Sequence, residues 1–503
     1  MNEVTLQKVG RSRRTGLNLL CSIAEHLISG GIALLLTPFL IDRLGIETYG
    51  LYPIVLELSA VFGIVFGVVN STSGRYIAVE EERGSAEVAQ KYFSSAFFAN
   101  AALGICALLP MGALVALSDR FLNVPQGVAQ ELKIFMILAF AAVTVDALAS
   151  AFGCVYYITN RLDLRSGQQL VSAALKAILL ALLLGLFRPS LVGVGVAILV
   201  SVAAGSLVQI LVARKLTSDL SVSLSSFSFS ATRRLMVSGL WYSFNRVAAF
   251  LMGGAMLIMA NSFFESSVSG LYSVAFVVVN ALSGVVMTLA AVFVPVSAKC
   301  FARGERNRLR DSLARDEKLI GCFAAVAVSV AIGFGGDFLG LWVGEEASRL
   351  LVAITSALLV PVLSLACAAP IINVAMVMDR TRRLSLLFLG GGILTVAAAL
   401  FSVFFTGVGV IGLAVVSCLA QVLWYSVAVP LFACRVLECS PKVFLLPVLR
   451  VFTAAALSLG ACLAINGICD IKSWFGFAVA VGCSATVSSV ISFFTLFYGK
   501  GAK

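Results

Sequence analysis

LVSAALKAILLALLLGLFRPSLVGVGVAILVSVAAGSLVQILVA, residues 170–213, holds two apolar runs, Leu170–Phe187 and Leu191–Ala213, separated only by Arg188-Pro189-Ser190. The runs are 18 and 23 residues long. A bilayer core about 30 Å thick is crossed by a helix of roughly 20 apolar residues. Strands of a membrane β-barrel are about 10 residues long and alternate in polarity, which these runs do not. A three-residue turn containing Pro joins them as an antiparallel pair of membrane helices.

Working outward from this hairpin, the chain holds 14 such runs, from Leu17–Leu40 to Phe475–Phe497. Gly407-Val408-Gly409 is a second tight division. The first run is too long for a cleaved leader, and another span follows at once. The interruptions Ser71–Tyr92, Arg214–Arg234 and Ala298–Lys318 leave room only for short interfacial helices. Of 503 residues, 60% are hydrophobic and 12% charged, with a mean hydropathy of +1.03. Soluble domains carry about 25% charged residues. A cytosolic enzyme, a nucleic-acid binder and a disordered scaffold are thereby excluded. The fold class is an all-α polytopic membrane protein.

The net charge of +11 follows from topology. With a cytoplasmic N-terminus, 27 of the 36 Lys and Arg fall in inside segments. Six (Arg43, Arg120, Lys133, Arg188, Arg349, Lys472) fall outside, and three (Lys176, Arg246, Arg450) fall within spans. This is a positive-inside pattern and places both termini in the cytoplasm. Gly50-Leu51-Tyr52 opens the second span and Gly270-Leu271-Tyr272 the eighth, an offset of 220 residues. That offset predicts a cytoplasmic N-terminal segment at 1–16, an N-lobe of helices 1–6 at 17–213 and a basic linker at 214–234. A C-lobe of helices 7–12 follows at 235–434, and helices 13–14 with the C-terminus occupy 435–503.

The 12 cysteines include no C-x-x-C, and His26 is the only histidine. No metal site, disulfide framework or cofactor is expected, and no Walker motif is present. Ionisable residues inside spans are costly and mark function. They are Glu25, His26, Glu57, Asp146, Lys176, Arg246 and Arg450. Arg246 lies 11 residues into its span, roughly 16 Å deep, too far to snorkel. It either faces a hydrated cavity or is paired with Glu25, Glu57 or Asp146. Lys176 and Arg450 lie six residues in and reach the cytoplasmic interface. Asp146 and Lys176 sit on adjacent spans at bridgeable depth, as a structural ion pair or a proton-coupling pair. Asp146, Glu57 and Glu25 are the acidic candidates for H⁺ or Na⁺. The 220-residue offset sets Glu25-His26 against Asn245-Arg246. Prolines inside spans, such as Pro38, Pro361 and Pro370, predict kinks suited to opening on alternate sides.

The stretch from Asn18 through Pro38-Phe39-Leu40-Ile41 and Leu44-Gly45 to Tyr49-Gly50-Leu51-Tyr52 resembles the opening of bacterial polysaccharide and O-antigen flippases, the Wzx-like branch of the MOP superfamily, which is related to the MATE exporters. Ser73-Gly74-Arg75-Tyr76 and the basic loop Lys299–Lys318 are similar to segments of that family. The resemblance implies two six-helix lobes around a central cavity. It also implies outward movement of an oligosaccharide on a polyprenyl diphosphate lipid across the inner (plasma) membrane, beside other polysaccharide-assembly membrane proteins. The first and seventh spans would line the cavity, making Arg246, His26, Glu25 and Asn245 the substrate-binding candidates. Asp146, Glu57 and Lys176 are the ion-coupling candidates. Arg246 favours an anionic substrate. A multidrug or small-molecule exporter of the same superfamily is the alternative, and a membrane glycosyltransferase or polymerase a distant third. An enzyme is not expected, because the outside loops are the shortest.

Overall fold

A computed structural model describes residues 3–217, 220–344, 348–378, 381–469, 471 and 473–498. Arg380, Lys472, Lys500 and Lys503 of the charge pattern lie outside the described residues. The chain is built from long helices: α1 Glu3–Leu44, α2 Ile46–Glu82, α3 Ala86–Phe121, α4 Ala129–Ile158, α5 Leu162–Leu186, α6 Leu191–Leu216 and α7 Phe229–Phe263. They continue as α8 Ser266–Ala302, α9 Arg306–Gly333 followed by Gly335–Val343, α10 Arg349–Ala375, α11 Arg382–Thr406, α12 Gly409–Leu437, α13 Lys442–Asn466 and α14 Trp474–Phe497. Among the described residues thirteen are long and apolar enough to cross a membrane, and α9, bent by 65° at Phe334, makes fourteen when its two parts are taken as one span. Both tight divisions read from the sequence are chain reversals: Arg188-Pro189-Ser190 separates α5 from α6, and Gly407-Val408 separates α11 from α12.

The interruptions at Ser71–Tyr92 and Ala298–Lys318 are not separate interfacial helices. The membrane helices run on through them, since residues such as Glu80–Glu82 and Arg306–Arg310 are good helix formers. Each helix stops at a glycine. Gly84 and Gly304, 220 residues apart, have φ of 73° and 71°, a conformation that favours glycine. Their hydrogen bonds match. Gly84 N donates to Glu81 O and Ser85 N to Glu80 O, both at 2.9 Å, while Gly304 N donates to Phe301 O and Glu305 N to Cys300 O, both at 3.0 Å. These are the same helix-ending cap at the same place in a repeat.

Packing divides the chain into two compact units, Met1–Phe250 and Leu251–Lys503. The division falls in α7, beside a break at Gly253-Gly254, rather than at the linker 214–234. A glycine pair, not a proline, interrupts this span. The linker itself is latched to α3. Ser221 N donates to Gln90 Oε1 at 3.1 Å, Ser223 N to Ser94 Oγ at 3.2 Å and Ser228 N to Ser95 Oγ at 3.0 Å. Prolines 38, 53, 110, 295, 361, 370 and 447 lie inside helices that remain continuous around them.

The two units pair their helices alike. In the first, α1 packs on α5, α2 on α3 and α4, and α4 on α6; in the second, α7 packs on α11, α8 on α9 and α10, and α10 on α12. The final pair, α13 and α14, packs on α9. Small residues set the close approaches, as expected where lipid removes the hydrophobic drive between helices. Gly195 of α6 admits Leu138 and Phe135, and Gly333 of α9 faces Cys462 of α13.

Candidate functional site

The first unit carries every substrate and ion candidate, and the crossing of α2 with the first half of α7 positions the central one. Thr72 Oγ1 donates to Leu235 O at 3.3 Å, Tyr76 and Ser238 share a hydroxyl contact at 3.0 Å, and Ser243 Oγ donates to Ile64 O at 3.2 Å. Between these bonds, Gly239 lies directly on the Val68 carbonyl. Residues four apart on α7 meet residues four apart on α2 in reverse order, so the two helices are antiparallel. Arg246 lies one turn beyond Ser243 on the same helix.

Arg246 stands on an exposed face of α7. Tyr242, one turn earlier, is its partner. Arg246 Nε and Nη2 each donate to the Tyr242 hydroxyl at 3.3 Å, and the guanidinium lies 5.7 Å from that ring's centroid. A guanidinium has five N–H donors, so three remain directed elsewhere. Among the described residues no carboxylate is within ion-pair distance of it. Permanent pairing with Glu25, Glu57 or Asp146 is therefore not formed in this structure. Asn245 is half-buried beside it.

On α1, Glu25 is half-buried and accepts a 3.1 Å bond from Ser29 Oγ, while His26 is exposed. Adjacent residues are about 100° apart on a helix, so the two face different ways. Asn18, one of the residues carrying the family resemblance, ties α1 to the α4–α5 turn. It donates to Asn160 Oδ1 at 3.1 Å and accepts from Asp163 N at 3.1 Å. Asn160 takes a φ of 51° there.

Asp146 and Lys176 are not joined. Asp146 is exposed on α4 and Lys176 half-buried on α5, and no ion pair links them. The charge that acts on Asp146 is that of Arg165. Glu57 is half-buried on α2. The sequence reading missed a polar cluster beside Asp146. Asn100 of α3, fully buried, donates to Asn70 Oδ1 at 2.7 Å and to Ala147 O at 2.9 Å, linking α2, α3 and α4. The signal was an uncharged amide inside an apolar run, which a search for ionisable groups passes over.

This geometry offers a mid-span guanidinium with spare donors and no carboxylate partner. That is suited to binding an anion with planar oxygens. Among the described residues no cluster of His, Cys, Asp and Glu is arranged to hold a metal.

Comparison with known proteins places the chain. It is 24% identical over 462 residues to the uncharacterized membrane protein EpsK of Bacillus subtilis (strain 168), spanning 91% of this chain and 90% of that protein. Its fold is similar to that of the lipid II flippase MurJ in an inward closed conformation, with a TM-score of 0.71 and 12% identity over 95% of this chain and 99% of MurJ. The eukaryotic MATE transporter AtDTX14 is similar at a TM-score of 0.66 and 15% identity, over 88% of this chain and 99% of its own. Residues 17–301, more than half of the sequence, match the family of polysaccharide biosynthesis proteins, and the chain belongs to that family.

Proposed function

We propose that this protein is a flippase that carries a polyprenyl-diphosphate-linked oligosaccharide from the cytoplasmic to the outer leaflet by alternating access. The observation that carries this reading is Arg246, set deep in α7 and held by Tyr242 without a carboxylate partner. A diphosphate taken through a low-dielectric region is prohibitively costly unless paired. A guanidinium supplies the bidentate donors that a diphosphate accepts. His26, when protonated, adds a second cation, and Glu25 and Asn245 offer hydrogen bonds to sugar hydroxyls. Asp146, Glu57 and Lys176 are the candidates for coupling the cycle to H⁺ or Na⁺. Membership of the polysaccharide biosynthesis family supports the glycan over a drug as cargo.

The test is translocation of a defined lipid-linked glycan in proteoliposomes, read by its accessibility to an external periodate or lectin probe. Accumulation on the far leaflet, lost in Arg246→Ala, is expected. Equal export of cationic dyes with no glycan movement would favour a multidrug carrier. The proposed inner-membrane orientation, with both ends cytoplasmic, is checked by a compartment-sensitive reporter fused after Lys503. An extracytoplasmic signal would overturn it.

A further inference from the structure

The first turns of α9 hold an acid that the proposed transport chemistry does not use. Asp316 and Glu317 are each 0% exposed. Asp316 has neighbours: its Oδ2 accepts from Ser312 Oγ at 3.4 Å, and its Oδ1 lies 3.7 Å from Arg315 Nη2. Glu317 has none among the described residues: both of its carboxylate oxygens are buried without a hydrogen-bond partner. One turn on, Ile320 packs into the apolar cluster formed with Leu363, Ala366 and Cys367 of α10 and Val448 and Val451 of α13. The thiols of Cys367 on α10 and Cys434 on α12 are within electrostatic reach of Glu317.

The charge acting on Glu317 is that of its chain neighbour Lys318, which forms no ion pair with it. Among the described residues, Lys299 of α8 and Lys442 and Arg450 of α13 form none either. The helix α14 carries no charged residue. An ionised carboxylate in this position is shut off from bulk solvent and without a hydrogen-bond partner among the described residues, a state proteins avoid by taking up a proton. A bound metal would need more. Hard cations take six or more oxygens, and three free carboxylate oxygens are all that Asp316 and Glu317 supply. A proton needs one.

We propose that Glu317 is a proton-binding site. Its neutral acid form lets the first turns of α9 pack against α10 and α13, and loss of the proton requires those turns to separate until water reaches the carboxylate. The site lies in the second unit and does not depend on the glycolipid reading. The sign follows from linkage. The packed state binds a proton that the unfolded chain gives up near the ordinary glutamate pKa of about 4.3. Stability is therefore full in acid and falls as pH rises through the packed-state value.

The experiment is thermal unfolding of the purified full chain in detergent from pH 5 to pH 9. It compares the wild type with Glu317→Gln, Glu317→Leu and the control Asp316→Asn. The wild type and Asp316→Asn should lose midpoint temperature toward pH 9, and both Glu317 variants should lose clearly less. An unchanged slope in Glu317→Gln overturns the proposal. So does failure of both neutral variants to accumulate, because a site that holds an uncharged acid accepts an uncharged replacement of similar size.

Discussion

The first unit and the second pair their helices in one scheme, yet they treat charge in opposite ways. In the first, Arg246, His26 and Asp146 stand on exposed faces of three different spans, and Glu25, Glu57 and Lys176 are half-buried. In the second, Arg450 is the one ionisable residue well inside the apolar runs, and the buried acids Asp316 and Glu317 sit at the first turns of α9. A charge within a span persists where the fold leaves it an open face, and a charge without one is pushed to a helix end or kept neutral. The two halves share one scheme of helix pairing, and the ionisable residues inside spans concentrate in the first.

The largest effect expected from this contrast is functional. Arg246→Ala should abolish glycolipid translocation while the protein still accumulates in the membrane. Losing a charge-paired donor costs about 2–5 kcal/mol, or roughly 30- to several thousand-fold. Arg246→Lys should retain a small fraction, because an ammonium cannot form the bidentate bonds. Arg450→Ala in the second unit should transport near wild-type levels. Equal losses at Arg246 and Arg450, measured in the same proteoliposome assay, would break the division between the units.

A second contrast concerns how closely helices approach. A methyl group at Gly239 would run into the Val68 carbonyl, which is backbone and cannot step aside. A methyl at Gly321 of α9 would meet Val451 Cγ2, the end of a side chain. Gly239→Ala should destabilise the protein by about 2–3 kcal/mol, the upper part of the overpacking range, and Gly321→Ala by about 1 kcal/mol. Val451→Ala should restore the second but has no counterpart for the first. The midpoint of thermal unfolding in detergent reads both. Next in size, Asn100→Ala should cost about 1–3 kcal/mol, since it leaves Asn70 without its buried partner. At the linker latch, Ser223→Ala should change the midpoint little, because Ser223 bonds Ser94 through its backbone nitrogen.

How much of this the sequence carried differs between levels. The succession of membrane-length helices and the turns at Arg188 and Gly407 were legible, because the length of an apolar run is tied directly to bilayer thickness. The repeat was legible at Gly50/Gly270 and equally so at Gly84/Gly304, where identical Arg-Gly pairs end helices. The second pair was overlooked because the loops around it read as polar interruptions. The depth of Arg246 followed from counting. Its Tyr242 partner followed the four-residue spacing that brings side chains together on a helix, but nothing in the sequence said that Tyr242 and not an acid would claim it. Glu317 was illegible for a different reason. It sits among Arg315, Asp316 and Lys318 in a segment whose charge suggests a solvated face, and only the approach of α10 and α13 buries it.

The smallest effect tests the one pairing that spacing suggested and the structure does not form. Asp146 and Lys176 sit on adjacent helices at depths a lysine stem spans, but they share no ion pair, and Arg165 is the charge acting on Asp146. If the two act independently, Asp146→Asn and Lys176→Gln should add, with an interaction energy under about 0.5 kcal/mol in unfolding midpoints. The exchange Asp146→Lys with Lys176→Asp should then fail to restore transport, since the carboxylate would be missing from its place on α4. Full activity in the exchanged protein would show that the two residues only balance each other. That would remove Asp146 from the coupling candidates and leave Glu57 and Glu25 as the acids of the first unit with a part in the cycle.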